Sequence, residues 1–328
     1  MVFTVSDPRP LRVAVLGLGY IGREIHLPTL RQRADIEVVG LVDVNAEALV
    51  RGLRESGFGP GFASLEALLD AGVPDCAFVL TPKPLHHAQV TRLLEAGVDV
   101  FCEKPLTMRL AEAEELAELA AARRRILMVG YNRRYAPVYV RAREAFTDPG
   151  PEAIVAMKNR PGTEYRATFD NAIHMVDLLR WFCGEAADVQ GYAQYADPYY
   201  ETTAVAALRF EGGALGVLMA NRSTSHWVER LEVFGHGRSA IVDAPDRVSL
   251  GRESTAEVSE MTALHMGWAH VADKMGFRQE VDHFFECVRT RQAPRTSAAE
   301  AVRTQALMDR LLKALGLPLS GKEGTPRP

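Results

Sequence analysis

The first 130 residues alternate between short apolar runs and segments with helical spacing. The apolar runs are β-branched and nearly uninterrupted, as in strands buried on both faces of a sheet. They lie at residues 11–16, 36–42, 76–80, 98–102 and 126–129, with a short candidate strand at Phe62. Helical spacing is found between them, at about 20–33, 46–56, 64–70, 86–95 and 110–123. Strands and helices in strict alternation predict a parallel sheet covered on both faces.

The pattern changes near residue 130. Two helices, at about 135–146 and 171–182, enclose a strand at 153–158, and a series of closely spaced strands follows. These strands are predicted at 189–195, 202–210, 214–221, 229–234 and 240–242, and two late helices at about 277–289 and 297–315. Consecutive strands joined by glycine-rich turns predict an antiparallel sheet. The sequence therefore predicts an α/β protein with a Rossmann domain at 1–129 and an α/β domain at 130–328, built on an open, mostly antiparallel sheet.

Composition adds limits on partners and location. The 328 residues suffice for about two domains, and a net charge of −4 gives no reason to expect nucleic acid or an anionic membrane as partner. No apolar run reaches the roughly 18 residues that span a bilayer, and the start lacks the features of a secretory signal. We expect a soluble, cytoplasmic protein. The four cysteines have no metal or redox spacing and are expected to be reduced, mostly buried residues.

A glycine-rich turn joins the first predicted strand to the first helix. Gly17, Gly19 and Gly22 form the pattern G-x-G-x-x-G, in which the glycines permit a tight turn, close approach of a pyrophosphate and close packing of helix on strand. The intervening Tyr20 and Ile21 are predicted to contact the cofactor as well. The motif alone is weak, but its position between a strand and a helix predicts a dinucleotide site.

Asp43 ends the second predicted strand, about 20 residues beyond the last glycine. A carboxylate at this position accepts hydrogen bonds from the adenosine ribose and repels a 2′-phosphate. This favours NAD over NADP, although Arg51 or another nearby cation could offset the repulsion.

Three further segments resemble one enzyme family. Thr81-Pro82-Lys83-Pro84-Leu85-His86, Glu103-Lys104-Pro105-Leu106 and Gly130-Tyr131-Asn132-Arg133-Arg134-Tyr135 together resemble the Gfo/Idh/MocA oxidoreductases, which include glucose-fructose oxidoreductase and inositol dehydrogenase. The resemblance implies a Rossmann domain followed by a domain with an open antiparallel sheet. It also implies that Thr81, Pro82 and His86 line the cofactor, that Glu103 contacts it or supports the site, and that Lys104 is catalytic and touches both cofactor and substrate.

A second group of polar residues lies on a predicted helix. Asp170, His174 and Asp177 are spaced i, i+4 and i+7 and share one face of an otherwise apolar helix. From the residues alone, Asp170 could be an N-cap and His174 a hydrogen-bonded core histidine. The family resemblance, in its Asp-x-Gly-x-His-x-x-Asp pattern, instead implies that His174 is the general base and that Asp170 binds substrate and orients it. Asp177 is expected to be structural, and Ala172 stands where the family has glycine.

Other polar residues are less decisive. Asn132 and Arg133 follow the last Rossmann strand and could bind a substrate group, or could belong to a hinge. Trp227, with Tyr199 and Tyr200, is expected in packing or subunit contacts. The remaining histidines lack metal-ligand spacing, so no metal is expected.

These observations predict an NAD(P)-dependent dehydrogenase acting on a secondary hydroxyl of a sugar, polyol or sugar derivative. Two alternatives stay open: a sensing or regulatory protein of the same fold without catalysis, and a reductase of a non-sugar substrate such as a dihydrodiol. The resemblance further implies a homodimer or homotetramer formed through the C-terminal sheet. The identity of the substrate is not readable from any motif.

Overall fold

A computed structural model describes residues 9–162, 165–195, 201–261 and 271–318. The chain forms two compact units, of which the first comprises Met1–Gly130 and Phe277–Val302 and the second Tyr131–Gly276 and Arg303–Pro328. Residues 277–302, predicted to belong to the second domain, group with the first unit instead.

The first unit is built on a six-stranded parallel sheet. Its strands are β1 (Leu11–Leu16), β2 (Ile36–Val42), β3 (Gly61–Phe62), β4 (Cys76–Val79), β5 (Asp99–Cys102) and β6 (Leu127–Val129). Their order in the sheet is β3-β2-β1-β4-β5-β6. This is the doubly wound order, in which successive strands are added on one side of β1 up to β3 and on its other side from β4 onwards. The carboxyl ends of β1 and β4 therefore mark the crevice where ligands bind in such folds.

Helices cover this sheet. They are α1 (Leu27–Arg31), α2 (Ala46–Ser56), α3 (Leu65–Ala71), α4 (His86–Glu95) and α5 (Leu110–Ala122). Side-chain caps begin two of them: Asn45 Oδ1 accepts from the amides of Glu47 and Ala48, and Ser64 Oγ accepts from Ala67 N. The predicted start of a helix at Ser64 is thus explained by its cap.

The second unit contains an eight-stranded sheet. Its strands are β7 (Ala153–Asn159), β8 (Ala186–Tyr195), β9 (Glu201–Phe210), β10 (Leu215–Asn221), β11 (Val228–Gly235), β12 (Arg238–Asp243), β13 (Arg247–Arg252) and β14 (Thr255–Glu260). The order is β14-β13-β12-β11-β7-β10-β9-β8, and every neighbouring pair is antiparallel except β7 with β10. Strands β13 and β14 were not predicted, because their short, polar and largely exposed sequences carry little hydrophobic alternation.

The remaining helices are α6 (Pro137–Glu144), α7 (Ile173–Cys183), α8 (Val271–Lys274), α9 (Phe277–Thr290) and α10 (Ala298–Ala314). A π-helical turn, Ala167–Ala172, leads directly into α7, so the regular helix starts two residues later than predicted. Helix α10 begins in the first unit and continues into the second.

The register of the second sheet separates two faces. One face, with Ile154, Leu218 and Leu231 among its residues, is buried. The opposite face leaves apolar side chains of the central strands partly in solvent, including Leu215, Val217 and Val205. The sheet thus has one covered and one uncovered apolar surface within this unit.

The cysteines of the described residues are free and mostly buried, and the helices are short or polar. Cys76, Cys102 and Cys287 are buried free thiols, and Cys183 is a half-buried one. Within the described ranges, no helix has the length and apolar character needed to cross a membrane.

Candidate active site

The three glycines of the loop after β1 have different environments. Gly17 has φ of 92°, and a Cβ there would lie 2.7 Å from the backbone of Leu80 and Thr81, at the end of β4. A Cβ on Gly22 would lie 2.6 Å from Gly17 O, whereas a Cβ on Gly19 would meet nothing within 4 Å. Gly17 and Gly22 therefore close the turn, and Gly19 faces open space, as required where a pyrophosphate approaches the backbone.

The helix after the loop differs from the prediction. A π-helical turn, Gly22–His26, precedes the short α1, in place of one helix over 20–33. Tyr20 is 76% exposed, and Arg23 Nε donates to Leu18 O at 3.0 Å, which ties the turn to the loop.

Asp43, at the end of β2, is held against the same loop. Its Oδ2 accepts from Leu18 N and its Oδ1 from Asn45 N, both at 2.8 Å. Each carboxylate oxygen has a second lone pair available, so the group can also accept from a ribose. Arg51, which could have offset repulsion of a 2′-phosphate, pairs with Glu55 at 2.7 Å.

His86 links two loops at the carboxyl edge of the first sheet. It is buried, with Nε2 2.8 Å from Thr81 O and Nδ1 2.9 Å from Pro105 O. Burial lowers the pKa of this histidine. His86 thus holds the Thr81 and Pro105 segments together, and the cofactor contact that the resemblance implies for it stays a prediction. Thr81 Oγ1 donates to Gln89 Oε1 at 2.6 Å, and Pro82 precedes a 3₁₀ turn.

Glu103 and Lys104 follow β5. Glu103 Oε1 lies 3.0 Å from His26 Nε2, and its Oε2 accepts from Lys104 N at 3.1 Å. Burial alone would raise the pKa of Glu103, but the hydrogen bond and charge of His26, with Lys104 nearby, hold it below its usual value. A Cβ on Gly130 would lie 3.3 Å from this carboxylate, so the glycine makes room for it.

Glu280 of α9 adds a third ionisable group here. Ligand atoms of His26, Glu103 and Glu280 lie within 4.8 Å of one another, and the His26 ring packs against Phe78, Phe101 and Phe277. No motif indicated this cluster, because Glu280 is more than 170 residues away in the chain. The hydrogen bond between His26 and Glu103 accounts for that pair without an ion.

The second unit holds Asp170 and His174. Asp170 lies in the π-helical turn, and its Oδ2 accepts from Arg166 N at 2.8 Å. His174 lies in the first turn of α7 and is 6% exposed. The N-cap position of α7 is Ala172, so Asp170 is not the N-cap of this helix; it satisfies the amide that begins the π turn.

Asp177, one turn further along α7, belongs to a buried network. Arg134 donates to both of its oxygens, at 2.7 and 2.8 Å, and Thr304 Oγ1 donates at 3.0 Å. Arg180 donates to the same threonine at 3.0 Å. These contacts give Asp177 the structural role that the sequence predicted.

Asn132 and Arg133 are also buried. Asn132 Nδ2 donates to Met275 O at 2.9 Å. Arg133 makes a bidentate contact with Glu229, in which Nε donates to Oε1 and Nη2 to Oε2, each at 2.9 Å. Lys158 also pairs with Glu229, and Tyr139 donates to it at 3.0 Å. These contacts engage both side chains within the unit, and substrate binding by Asn132 and Arg133 stays a prediction. The alternative of a hinge with solvent-exposed arginines does not hold for Arg133, which is buried, and the motif did not indicate Glu229 as its partner.

Comparison with known proteins places these features in a family. Residues 11–131 match the model described as oxidoreductase family, NAD-binding Rossmann fold, and residues 137–241 match the Gfo/Idh/MocA C-terminal domain. The YceM protein of Salmonella typhimurium is 30% identical over 312 residues, covering 92% of this chain and 97% of that protein. The chain belongs to the Gfo/Idh/MocA oxidoreductase family.

Other members agree in sequence and in fold. Myo-inositol 2-dehydrogenase of Thermotoga maritima is 28% identical, with 69% of this chain and 73% of that protein covered. The structure of UDP-N-acetylglucosamine 3-dehydrogenase from Acidithiobacillus ferrooxidans superposes with a TM-score of 0.82 at 23% identity, covering 93% and 98% of the two chains. The predicted family and the predicted fold class, a Rossmann domain with a second, mostly antiparallel α/β domain, are confirmed.

Membership in the Gfo/Idh/MocA family also confirms an oxidoreductase with an NAD-binding Rossmann fold. The first unit carries the glycine loop, Asp43, Thr81, Glu103 and Lys104, and the second carries Asp170 and His174.

Proposed function

We propose that this protein is an NAD-dependent dehydrogenase that oxidises a secondary hydroxyl of a sugar, polyol or sugar derivative. The observation that supports this most is the buried His174 in the first turn of α7, one turn after the backbone-anchored Asp170. Relatives named myo-inositol 2-dehydrogenase and UDP-N-acetylglucosamine 3-dehydrogenase, 28% and 29% identical to this chain, support the substrate class.

His174 is the proposed general base. Oxidation of an alcohol needs removal of the hydroxyl proton while hydride leaves the carbon, and imidazole has a pKa suited to that step near neutral pH. NAD, when bound, accepts the hydride. Asp170 orients the histidine and binds a substrate hydroxyl, and the Lys104 ammonium stabilises the developing alkoxide.

Cofactor contacts are proposed for the glycine loop, Asp43, Thr81, Pro82 and the Glu103-Lys104 segment. The pairing of Arg51 with Glu55 leaves the Asp43 carboxylate to oppose a 2′-phosphate, which favours NAD over NADP. We propose no metal, since the chemistry needs only a base, a cation and the nicotinamide.

Replacement of His174 by Asn and of Lys104 by Ala tests these roles. Each variant is expected to lose at least about a hundredfold in kcat, the range attributed to a single acid–base group, while binding of NADH, followed by its fluorescence, persists. Exposed His236→Asn and Lys313→Ala are matched controls. Near-normal turnover in both active-site variants would reject the assignment, and no turnover of any sugar by the native protein would favour the regulatory alternative.

We further propose that the uncovered face of the second sheet forms a homodimer or homotetramer. Leu215, Val217 and Val205 lie on neighbouring strands β9 and β10 of that face and are 59%, 39% and 42% exposed. Contiguous exposed apolar surface of this kind is typical of a subunit interface. A cytoplasmic location accompanies this proposal, in line with the free cysteines.

A further inference from the structure

An exposed arginine, Arg160, directly follows β7, the strand that contacts the π-helical turn with Asp170. The guanidinium carbon of Arg160 lies 5.5 Å from the ring centroid of Tyr165 and 5.3 Å from that of Trp227. Its backbone is fixed by Arg160 N donating to Asn221 O at 2.9 Å and by Tyr165 OH donating to Arg160 O. Two aromatic rings and two backbone bonds therefore hold this cation in one place.

The charge of Arg160 is not neutralised within the described part of the chain. No carboxylate of those residues lies within ion-pair distance of its guanidinium. Lys158, whose Nζ is also 5.3 Å from the Trp227 ring, differs in this respect, because it is buried and paired with Glu229. Among the described residues, Trp227 thus lies beside one cation paired with a carboxylate and one that contacts aromatic rings alone, which is more than the simple packing role expected from the sequence.

Electrostatics connect this arginine with the proposed catalytic helix. Burial raises the pKa of Tyr165, the charges of Arg160 and Arg222 oppose that rise, and the charge of Asp170 adds to it. The π-helical turn itself is attached to β7 through Asn171 Nδ2 and Lys158 O, 3.4 Å apart. Tyr165 packs against Arg160, and the next residue, Arg166, donates its amide to Asp170 Oδ2 at 2.8 Å, so one short segment contacts both Arg160 and Asp170.

We propose that Arg160, held by Tyr165 and Trp227, binds an anionic group of the substrate, so that the substrate is a sugar that bears a carboxylate or a phosphate. A guanidinium presents paired N–H donors that match either anion, and it is weakly enough hydrated to remain stacked on aromatic rings while it binds. The exposed Trp227 ring adds an apolar surface for the sugar ring or for an attached base. This inference rests on the proposed function in that it concerns the substrate of the same site.

Calorimetric binding to the NADH-saturated protein tests the proposal without requiring turnover. The ligands are glucose, glucuronate, glucose 1-phosphate and UDP-glucose, so that a neutral sugar is compared with a carboxylate and with two phosphate forms. The native protein is expected to bind at least one anionic ligand more tightly than glucose. Arg160→Gln should reduce that preference about tenfold, the effect of losing a charge-assisted hydrogen bond, and Arg160→Lys should restore part of it.

Arg252→Gln removes another exposed arginine of the same unit, on β13, and should leave the preference unchanged. A greater loss for glucuronate than for the phosphates identifies a sugar acid, and the reverse identifies a sugar phosphate. Equal weakening of all four ligands by Arg160→Gln, no weakening, or a native preference for glucose would overturn the proposal. If the protein binds anionic sugars through Arg160 but forms no NADH from them, the proposed function fails and this site stands.

Discussion

One carboxylate, Glu229, organises the interior of the second unit around buried charges. It accepts from Arg133, Lys158 and Tyr139, and all four side chains are nearly inaccessible. Although burial would raise its pKa, the two cations hold the pKa of Glu229 far below the usual value. A buried charge cluster of this kind is costly to leave incomplete.

Replacement Glu229→Gln is expected to lower the free energy of unfolding at pH 7 by about 3 kcal/mol, because two buried cations lose their partner. Since the folded-state pKa is depressed, the stabilisation is present above the unfolded carboxyl pKa of about 4.3 and is lost as the pH falls below it. Urea denaturation between pH 7 and about pH 3.5 should therefore show that the difference in free energy of unfolding between the variant and the native protein becomes smaller in acid.

The matched control is Glu232→Gln on the same strand, where the carboxylate pairs with the part-exposed Arg230 and should contribute little. If the native and E229Q proteins differed in free energy of unfolding by the same amount at every pH, the variant would have lost packing rather than a charge interaction.

At the residue scale, the sequence identified candidate functional residues but not the residues with which they form contacts. Spacing and resemblance led to His174, Asp170 and Lys104 because each lies in a local pattern. The partners Glu229 of Arg133 and Glu280 of His26 come from strands and helices far along the chain. Pairing over such separations depends on tertiary structure, which one sequence without an alignment does not contain.

At the scale of elements, two π-helical turns occur where function was predicted. One, Gly22–His26, follows the glycine loop, and the other, Ala167–Ala172, precedes the turn with His174. Such turns are rare and are frequently found at functional sites. Hydrophobic spacing placed helices in both regions correctly but could not show the wider turn, because a π turn changes the periodicity over too few residues.

Two alanine substitutions in the glycine loop distinguish a role in folding from a role in cofactor binding. Gly17→Ala is expected to yield poorly folded protein, since its φ is 92° and a Cβ would collide with the backbone of Leu80 and Thr81. Gly19→Ala has room for its Cβ and should melt like the native protein, yet bind NADH at least about tenfold more weakly if the pyrophosphate approaches there.

Thermal melting and NADH titration by fluorescence measure the two effects. Unchanged NADH affinity in a well-folded Gly19→Ala protein would show that the loop backbone does not touch the cofactor at this residue.

At the scale of the whole molecule, the uncovered sheet face gives a prediction about assembly. Val217→Glu places a charge in the middle of the apolar surface between β9 and β7 and should shift the protein to monomer in light scattering, because an unpaired charge is costly to bury. Val73→Glu, at a similarly exposed valine of the first unit, is the control. A native protein that is already monomeric at micromolar concentration would contradict the interface.

The fold class followed from the sequence because strand and helix periodicities are local, and the change of pattern near residue 130 marked the start of the second sheet. The return of the chain to the first unit at Phe277 was not visible, since α9 reads as an ordinary amphipathic helix. Only its contacts show where it belongs: Phe284 lies 5.3 Å from Phe78 between ring centroids, and Arg289 donates to Asp35 O at 2.7 Å.

This discontinuity affects how the protein is made. During synthesis the parallel sheet emerges first, but Phe78 and Phe101 keep part of their apolar surface uncovered until Phe284 has left the ribosome, 155 residues after the end of β6. The second sheet has been completed by then. The nascent Rossmann sheet must therefore remain incomplete, and exposed to chaperones or to wrong partners, for nearly half of the time that translation takes.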